Sequence, residues 1–328
     1  MKYNLNAIYD ESFPETLNSF LNYLSTIRGK SINTINGYRG DLLLFFRFLK
    51  LYKGVVPKDS DFDQIDLSDI DNEFLRNITL NDLYAFISFT ENYRDNGTYA
   101  RARKVATLRS YFKYLHTKVK IIDLNPAADL ESPSIDKRNP IYLTLEESKS
   151  LLNIIDGKNK LRDYCIITLF LNCGLRLSEL TSINISKIKG DILSVVGKGN
   201  KERTIYLNKA CIKSIDNYLP IRNSLIDKIN LDDRDALFIS SKYRRINKRT
   251  VELLVKKYVK QAGLSEDKYT PHKLRHTAAT LMYKYGNVDI RSLQQILGHE
   301  SVSTTQIYTH LDDEKLREAV KSNPLSEE

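Results

Sequence analysis

At 328 residues the chain is long enough for two domains of ordinary size, each able to bury a core without disulfides or a structural metal. Its formal net charge of +9 and pI near 9.2 point to a polyanionic partner, nucleic acid foremost, with simple solubility as the plainer reading. No run approaches about 18 consecutive apolar residues, and Met1 to Asp10 lacks an apolar signal core, so the expectation is a soluble cytoplasmic protein with no membrane span. Cys165, Cys173 and Cys211 form no CxxC pair and sit in apolar stretches, as reduced core thiols of such a protein would.

The first third reads as helical. Leu17, Phe20, Leu21 and Leu24 recur at helical spacing within residues 16–27, and Ser31 is placed to cap a second helix carrying Tyr38, Leu42, Phe45, Phe46 and Leu49. Asp59 to Glu73 holds seven acidic side chains and few periodic apolar ones, which predicts a solvated, loosely ordered connection. Thr79 opens a third helix with Leu83, Phe86, Ile87 and Thr90 on one side. A fourth, over residues 98–116, puts Val105, Leu108, Phe112 and Leu115 on one face and Arg103, Arg109 and Lys113 on the other. From Arg94 to Lys120 there are eight basic residues against one acidic, a bias that favours phosphate contact over an ordinary solvated face. Arg101, Arg103, Lys104, Arg109 and Lys113 are the candidates there, joined later by Arg244, Arg245 and Lys248.

Pro126, Pro133 and Pro140 fall in an aperiodic stretch, so the expected division is a helical domain over 1–124, a linker over 125–140 and a second domain over 141–328. Thr144-Leu-Glu-Glu147 is a capping box ahead of Leu151, Leu152 and Ile155. An apolar helix follows over 160–173, with Gly174 suited to a left-handed C-cap. Ile192–Val196 and Arg203–Leu207 are β-rich runs around Gly197-Lys198-Gly199-Asn200-Lys201, a hairpin with a lysine at its tip. Helices are expected at about 209–218, 248–262, 271–285, 290–297 and 313–320. The fold class is therefore mainly α, with a helical N-terminal domain and a mixed α+β second domain holding a small antiparallel sheet.

Four of the five histidines lie beyond residue 270. Thr270-Pro271 is a good helix start, and a wheel drawn from it sets Leu274, Ala278, Leu281 and Tyr285 as the buried stripe with His272, Arg275 and His276 opposite. Free N–H groups and a partial positive charge in the first turn favour an anion. A zinc protease is ruled out, because His-Glu-x-x-His would need Glu where Lys273 stands. Nor is Lys198 part of a P-loop, since no GxxxxGK[ST] is present. His299 follows Gly298 at the end of a short helix, Tyr308 is one of twenty tyrosines, and Arg176 has Glu179 three residues on. Taken singly, a turn histidine or a tyrosine is more often structural, and an Arg–Glu pair at that spacing is often an ordinary surface pair.

Together, Arg176-Leu-Ser-Glu179-Leu180, Lys198, His272-x-x-Arg275-His276, Leu297-Gly298-His299 and Tyr308 resemble the tyrosine recombinases (integrases), in order and spacing across residues 176–308. Within that family the chain is most similar to the Xer type, and no arm-type DNA-binding domain is expected ahead of residue 10. The resemblance implies that the basic helical part is a SAM-like core-binding domain and that double-stranded DNA is the partner. It implies that Arg176 and Arg275 clamp the scissile phosphate, with His299 adding a hydrogen bond. Tyr308 is then the nucleophile, His272 accepts its proton, Lys198 protonates the leaving 5′-oxygen, and Glu179 and His276 support them. It further implies no cofactor or metal, a homo- or hetero-tetramer on two sites with a C-terminal helix (313–320) exchanged between subunits, a nucleoid-associated location, and work in chromosome-dimer resolution or mobile-element integration and excision. The competing expectations are a type IB topoisomerase, which relaxes one duplex without synapsis, and a non-enzymatic DNA-binding regulator, which would lack at least one of these residues.

Overall fold

The computed structural model describes residues 10, 12–134, 140–197, 202–286, 288–298 and 305. The chain divides into two compact units, residues 1–137 and 138–328. Both are dominated by helix, and the second carries a small antiparallel sheet, so the expected fold class is observed.

The first unit contains α1 (Glu15–Asn22), continued by a wider π turn over Tyr23–Ile27, then α2 (Ile32–Tyr52), α3 (Asn72–Arg76), α4 (Leu80–Asn92) and α5 (Thr98–Thr117). Ser31 and Thr79 act as the N-caps expected of them, and Thr79 forms a reciprocal capping box with Asp82. Phe20, Phe45, Phe46, Phe86, Tyr111 and Phe112 fill the core between α1, α2, α4 and α5. Residues 59–73 depart from expectation. Ile65, Leu67 and Ile70 are buried in that core, Asp61 and Asp71 cap short helices, and Lys50 Nζ reaches from α2 to Asp69 at 2.7 Å and the Asp66 carbonyl at 2.8 Å. The acidic strip is ordered because its irregularly spaced apolar residues face inward while its carboxylates satisfy backbone N–H groups and a buried ammonium. The stretch expected to begin a linker also contributes to this core, through Ala127 and Leu130.

The second unit contains α6 (Leu145–Asn153), α7 (Lys160–Cys173) and α8 (Leu177–Thr181), then β1 (Ile188–Lys189), β2 (Ile192–Val196) and β3 (Glu202–Tyr206). It continues with α9 (Lys209–Asn223), α10 (Lys248–Gln261), α11 (Pro271–Tyr285) and α12 (Ile290–Leu297). The strands run antiparallel in the order β1-β2-β3, with Val195 opposite Arg203. Strand β1 had no signal of its own: two residues are too few for a period. The helix α7 is buried on nearly all sides, packed by α6, α9 and α11, and ends at Gly174 with φ of 57°. The three cysteines are buried free thiols, and burial pushes Cys165 up to about 12. Among the described residues, no helix is long and apolar enough to cross a membrane.

Candidate active site

Gly174 is the junction from which the site is built. A Cβ there would lie 2.8 Å from Leu297 Cδ2 of α12 and 3.7 Å from Ala278 Cβ of α11, so three helices meet where only glycine fits. Two residues later, Arg176 is the N-cap of α8. Its backbone N–H donates to Glu179 Oε2 at 2.7 Å and its guanidinium Nη1 to Glu179 Oε1 at 2.7 Å. Glu179 is fully buried. Burial alone would raise its pKa, but hydrogen bonds and charge from Arg203, with further bonds from Arg176, outweigh it and hold the carboxyl below its usual range.

Arg275 projects from the first turns of α11 into this same cluster. Its Nη1 lies 2.7 Å from the Gly174 carbonyl and 3.8 Å from Glu179 Oε2, and its Nη2 lies 2.6 Å from the Leu297 carbonyl. This corrects the wheel drawn from the sequence. Arg275 is 3% exposed, whereas Tyr285, assigned to the buried stripe, is 69% exposed and Leu281 is half-buried. The reason is that α11 has two covered sides. Leu274 packs into the main core shared with α7, and Ala279 packs with Leu293 and Leu297 of α12. A single-stripe reading cannot describe a helix packed on both sides.

His272 remains exposed, in the first turn of α11, with Nε2 at 3.1 Å from Nε2 of half-buried His276. Partial desolvation, then the positive charges of Lys273, Arg275 and Arg176, push the His272 pKa below its ordinary value, so the ring is neutral near pH 7. Arg176, His272 and Arg275 line a cleft of about 930 Å³ whose other wall includes Lys248, Arg249 and Lys256 of α10.

Arg203 also joins the cluster, and sequence reasoning missed it. Nothing in a β-rich run marks one arginine as inward-facing; the alternation of β3 and the nearness of Glu179 are visible only once the strand is paired. Its guanidinium grips Glu179 through Nε to Oε1 at 3.2 Å and Nη2 to Oε2 at 2.9 Å.

Of the candidates for phosphate contact, Arg109, Lys113, Arg244 and Lys248 are exposed. The other four are engaged within their own units. Lys104 is buried beside Asp41 at 3.2 Å, which withdraws it from the surface. Arg245 is turned inward onto the Thr181 and Ile183 carbonyls and Asn184 Oδ1. Arg101 pairs with Glu91 at 2.6 Å, and Arg103, still about half exposed, pairs with Asp41. The basic face of α5 is thus narrower than its composition suggested, because α2 supplies a buried carboxylate that needs partners. Lys198, His299, Tyr308 and the expected helix at 313–320 lie outside the described residues.

Comparison with known proteins agrees with this architecture. Residues 142–315 match the model of the phage integrase family, and residues 17–118 match the phage integrase N-terminal SAM-like domain. The chain is 60% identical over 316 residues to tyrosine recombinase XerC of Caldanaerobacter subterraneus subsp. tengcongensis, covering 96% of this chain and 88% of that protein. It is 35% identical over 318 residues to tyrosine recombinase XerC of Thermodesulfovibrio yellowstonii, covering 95% and 97%. The fold matches that of XerH site-specific recombinase, crystallised with palindromic difH substrate as a post-cleavage complex, with a TM-score of 0.68, 23% identity and coverage of 93% of this chain and 84% of that one. The chain therefore belongs to the phage integrase family, among its Xer-like tyrosine recombinases, enzymes that cleave and rejoin DNA.

Proposed function

We propose that this recombinase breaks double-stranded DNA at a specific site by transferring one phosphate to Tyr308 and restores the backbone by the reverse step with a new strand. Arg176 and Arg275 clamp the non-bridging oxygens of the scissile phosphate, and His299 adds a further hydrogen bond. The Tyr308 oxygen attacks phosphorus in line and gives its proton to His272. The bond from phosphorus to the 5′-oxygen breaks, and Lys198 protonates that oxygen. The products are a 3′-phosphotyrosyl enzyme and a free 5′-hydroxyl, and a 5′-hydroxyl from another strand attacks to regenerate tyrosine. The bond energy is held in the phosphotyrosine throughout.

The observation that carries this reading is the convergence of Arg176 and Arg275 on buried Glu179 at a cleft that also holds neutral His272. One carboxylate among these guanidinium groups leaves a net positive site, as a dianionic transition state requires. Exposed Arg109 and Lys113 of α5 contact the DNA backbone, and the helical domain, whose core takes in Ala127 and Leu130, precedes a catalytic domain from residue 141. Four protomers act on two sites in the cytoplasm, with residues 313–320 docking on a neighbouring subunit.

The test is covalent trapping. Protein–DNA adducts are isolated from cells, the attached DNA is sequenced, and the recovered site is rebuilt as a nicked duplex that loses a short fragment on cleavage. Tyr308→Phe should abolish adduct formation while the affinity for the duplex stays within about twofold. Adducts persisting in that variant would refute Tyr308 as nucleophile.

A further inference from the structure

The geometry points to Arg203 as a positioning residue for strand cleavage, one that holds Arg176 and Arg275 in register through Glu179 and the C-terminal carbonyls of α12. The inference rests on the proposed role of those two arginines as the phosphate clamp.

Consider the partners of Glu179. Among the described residues each carboxylate oxygen accepts two hydrogen bonds: Oε1 from Arg176 Nη1 and Arg203 Nε, and Oε2 from the Arg176 backbone and Arg203 Nη2. Arg203 therefore supplies half of these donors to a carboxylate with no exposed surface. Water cannot replace them without opening the site, so removing Arg203 frees the carboxylate to rotate, and the Arg176 guanidinium turns with it.

The second grip lies on α12. Three successive carbonyls at the end of this helix each take a guanidinium from a different segment. Arg203 Nη1 donates to Ile296, Arg275 Nη2 to Leu297 at 2.6 Å, and Arg176 Nη2 to Gly298 at 2.6 Å. These carbonyls are the negative end of the helix dipole, which favours the gathered cations. The stem of Arg203 also covers Gly298, where an added Cβ would lie 2.8 Å from Arg203 Cδ. Arg203 thus ties β3, α8 and α12 together. It does not line the cleft, and its side chain is 14% exposed, so it acts through its neighbours and not on the phosphate. A lysine keeps the charge but loses the planar fork that spans both oxygens.

The experiment measures single-turnover cleavage of the nicked duplex by full-length R203Q, R203K, E179Q, the double variant E179Q/R203Q and the control R176Q. At saturating DNA, R203Q should cleave about 10- to 100-fold more slowly, the scale of an ångström-level misplacement of catalytic groups. Its affinity for the duplex should stay near wild type, its Tm should fall because buried Glu179 loses two donors, and R203K should recover part of the rate. The double variant should be no slower than the slower single variant, because both changes break one linkage. Wild-type cleavage by R203Q at saturation, with a lower Tm or weaker binding, would reduce Arg203 to a scaffold residue and overturn the proposal. Independent, multiplying penalties in the double variant would overturn coupling through Glu179. Should R203Q not fold, R203K decides: wild-type cleavage by R203K refutes the fork, and slowed cleavage at unchanged Tm supports it. If R176Q cleaves normally, the clamp reading itself fails; slow R176Q beside fast R203Q defeats the present inference alone.

Discussion

His272 is held as a neutral imidazole near pH 7. Partial desolvation and three neighbouring cations lower its pKa below the ordinary 6.5, and at 3.1 Å from His276 only one of the two facing nitrogens can carry a hydrogen. As the proposed proton acceptor it should stay competent at neutral pH and lose activity only in acid. The cleavage rate should be level above pH 6.5 and fall as pH drops through the lowered value, and His272→Asn should be slow with that acid limb removed. An unchanged limb in the variant would assign the titration elsewhere. Stability follows the same sign. The unfolded chain takes up the proton at higher pH than the folded one, so the contribution of this group is complete above 6.5 and declines below it. At this scale the sequence was informative wherever chemistry demands a residue type. Arg176, Glu179, His272 and Arg275 could all be named from their motifs. Their burial could not, and Arg203 stayed hidden, because a guanidinium on a strand shows its destination only when the carboxylate it meets is placed by a different segment.

At the scale of single elements, caps and turns were the most legible features. Ser31, Thr79, Thr144 and Gly174 each end or begin a helix as their local chemistry dictates. Where a helix or loop packs on more than one neighbour, periodicity failed, as in α11 and in the acidic strip pinned by Lys50. The turn at Gly174 gives a sharp prediction. Gly174→Ala would place a Cβ 2.8 Å from Leu297 in a left-handed conformation with φ of 57°. Strain and overpacking together should cost about 2–5 kcal/mol, seen as a lower midpoint in urea unfolding. Cleavage should fall with it, since the Gly174 carbonyl anchors Arg275. Unaltered stability would mean that α12 moves aside freely.

Over the whole chain, each unit encloses its own hydrophobic cluster, one rich in phenylalanine and the other in aliphatic residues. Residues 10–134 and 140–328, produced separately, should therefore each unfold cooperatively, and a non-cooperative transition in either would show that it depends on the other. Composition pointed to this two-part plan; it did not reveal that Ala127 and Leu130 belong to the first core, because two apolar residues among prolines carry no period. The first unit should bind duplex DNA with strong salt dependence. Arg109→Ala with Lys113→Ala should flatten the slope of log K against log salt by about one per residue. Lys104→Met should leave the slope unchanged, since that ammonium is buried on Asp41.

The three guanidinium groups on the last carbonyls of α12 have one more consequence, for the timing of catalysis. Their mutual repulsion is overcome when the chain folds, by one carboxylate and a row of peptide dipoles, before any DNA arrives. The bonds to Glu179 and Gly298 use two of the five N–H groups of Arg176, which still reaches the cleft. If Arg176 and Arg275 clamp the scissile phosphate as proposed, an incoming phosphate would meet a preorganised receptor, and the barrier to strand cleavage would be lowered by reorganisation already completed during folding.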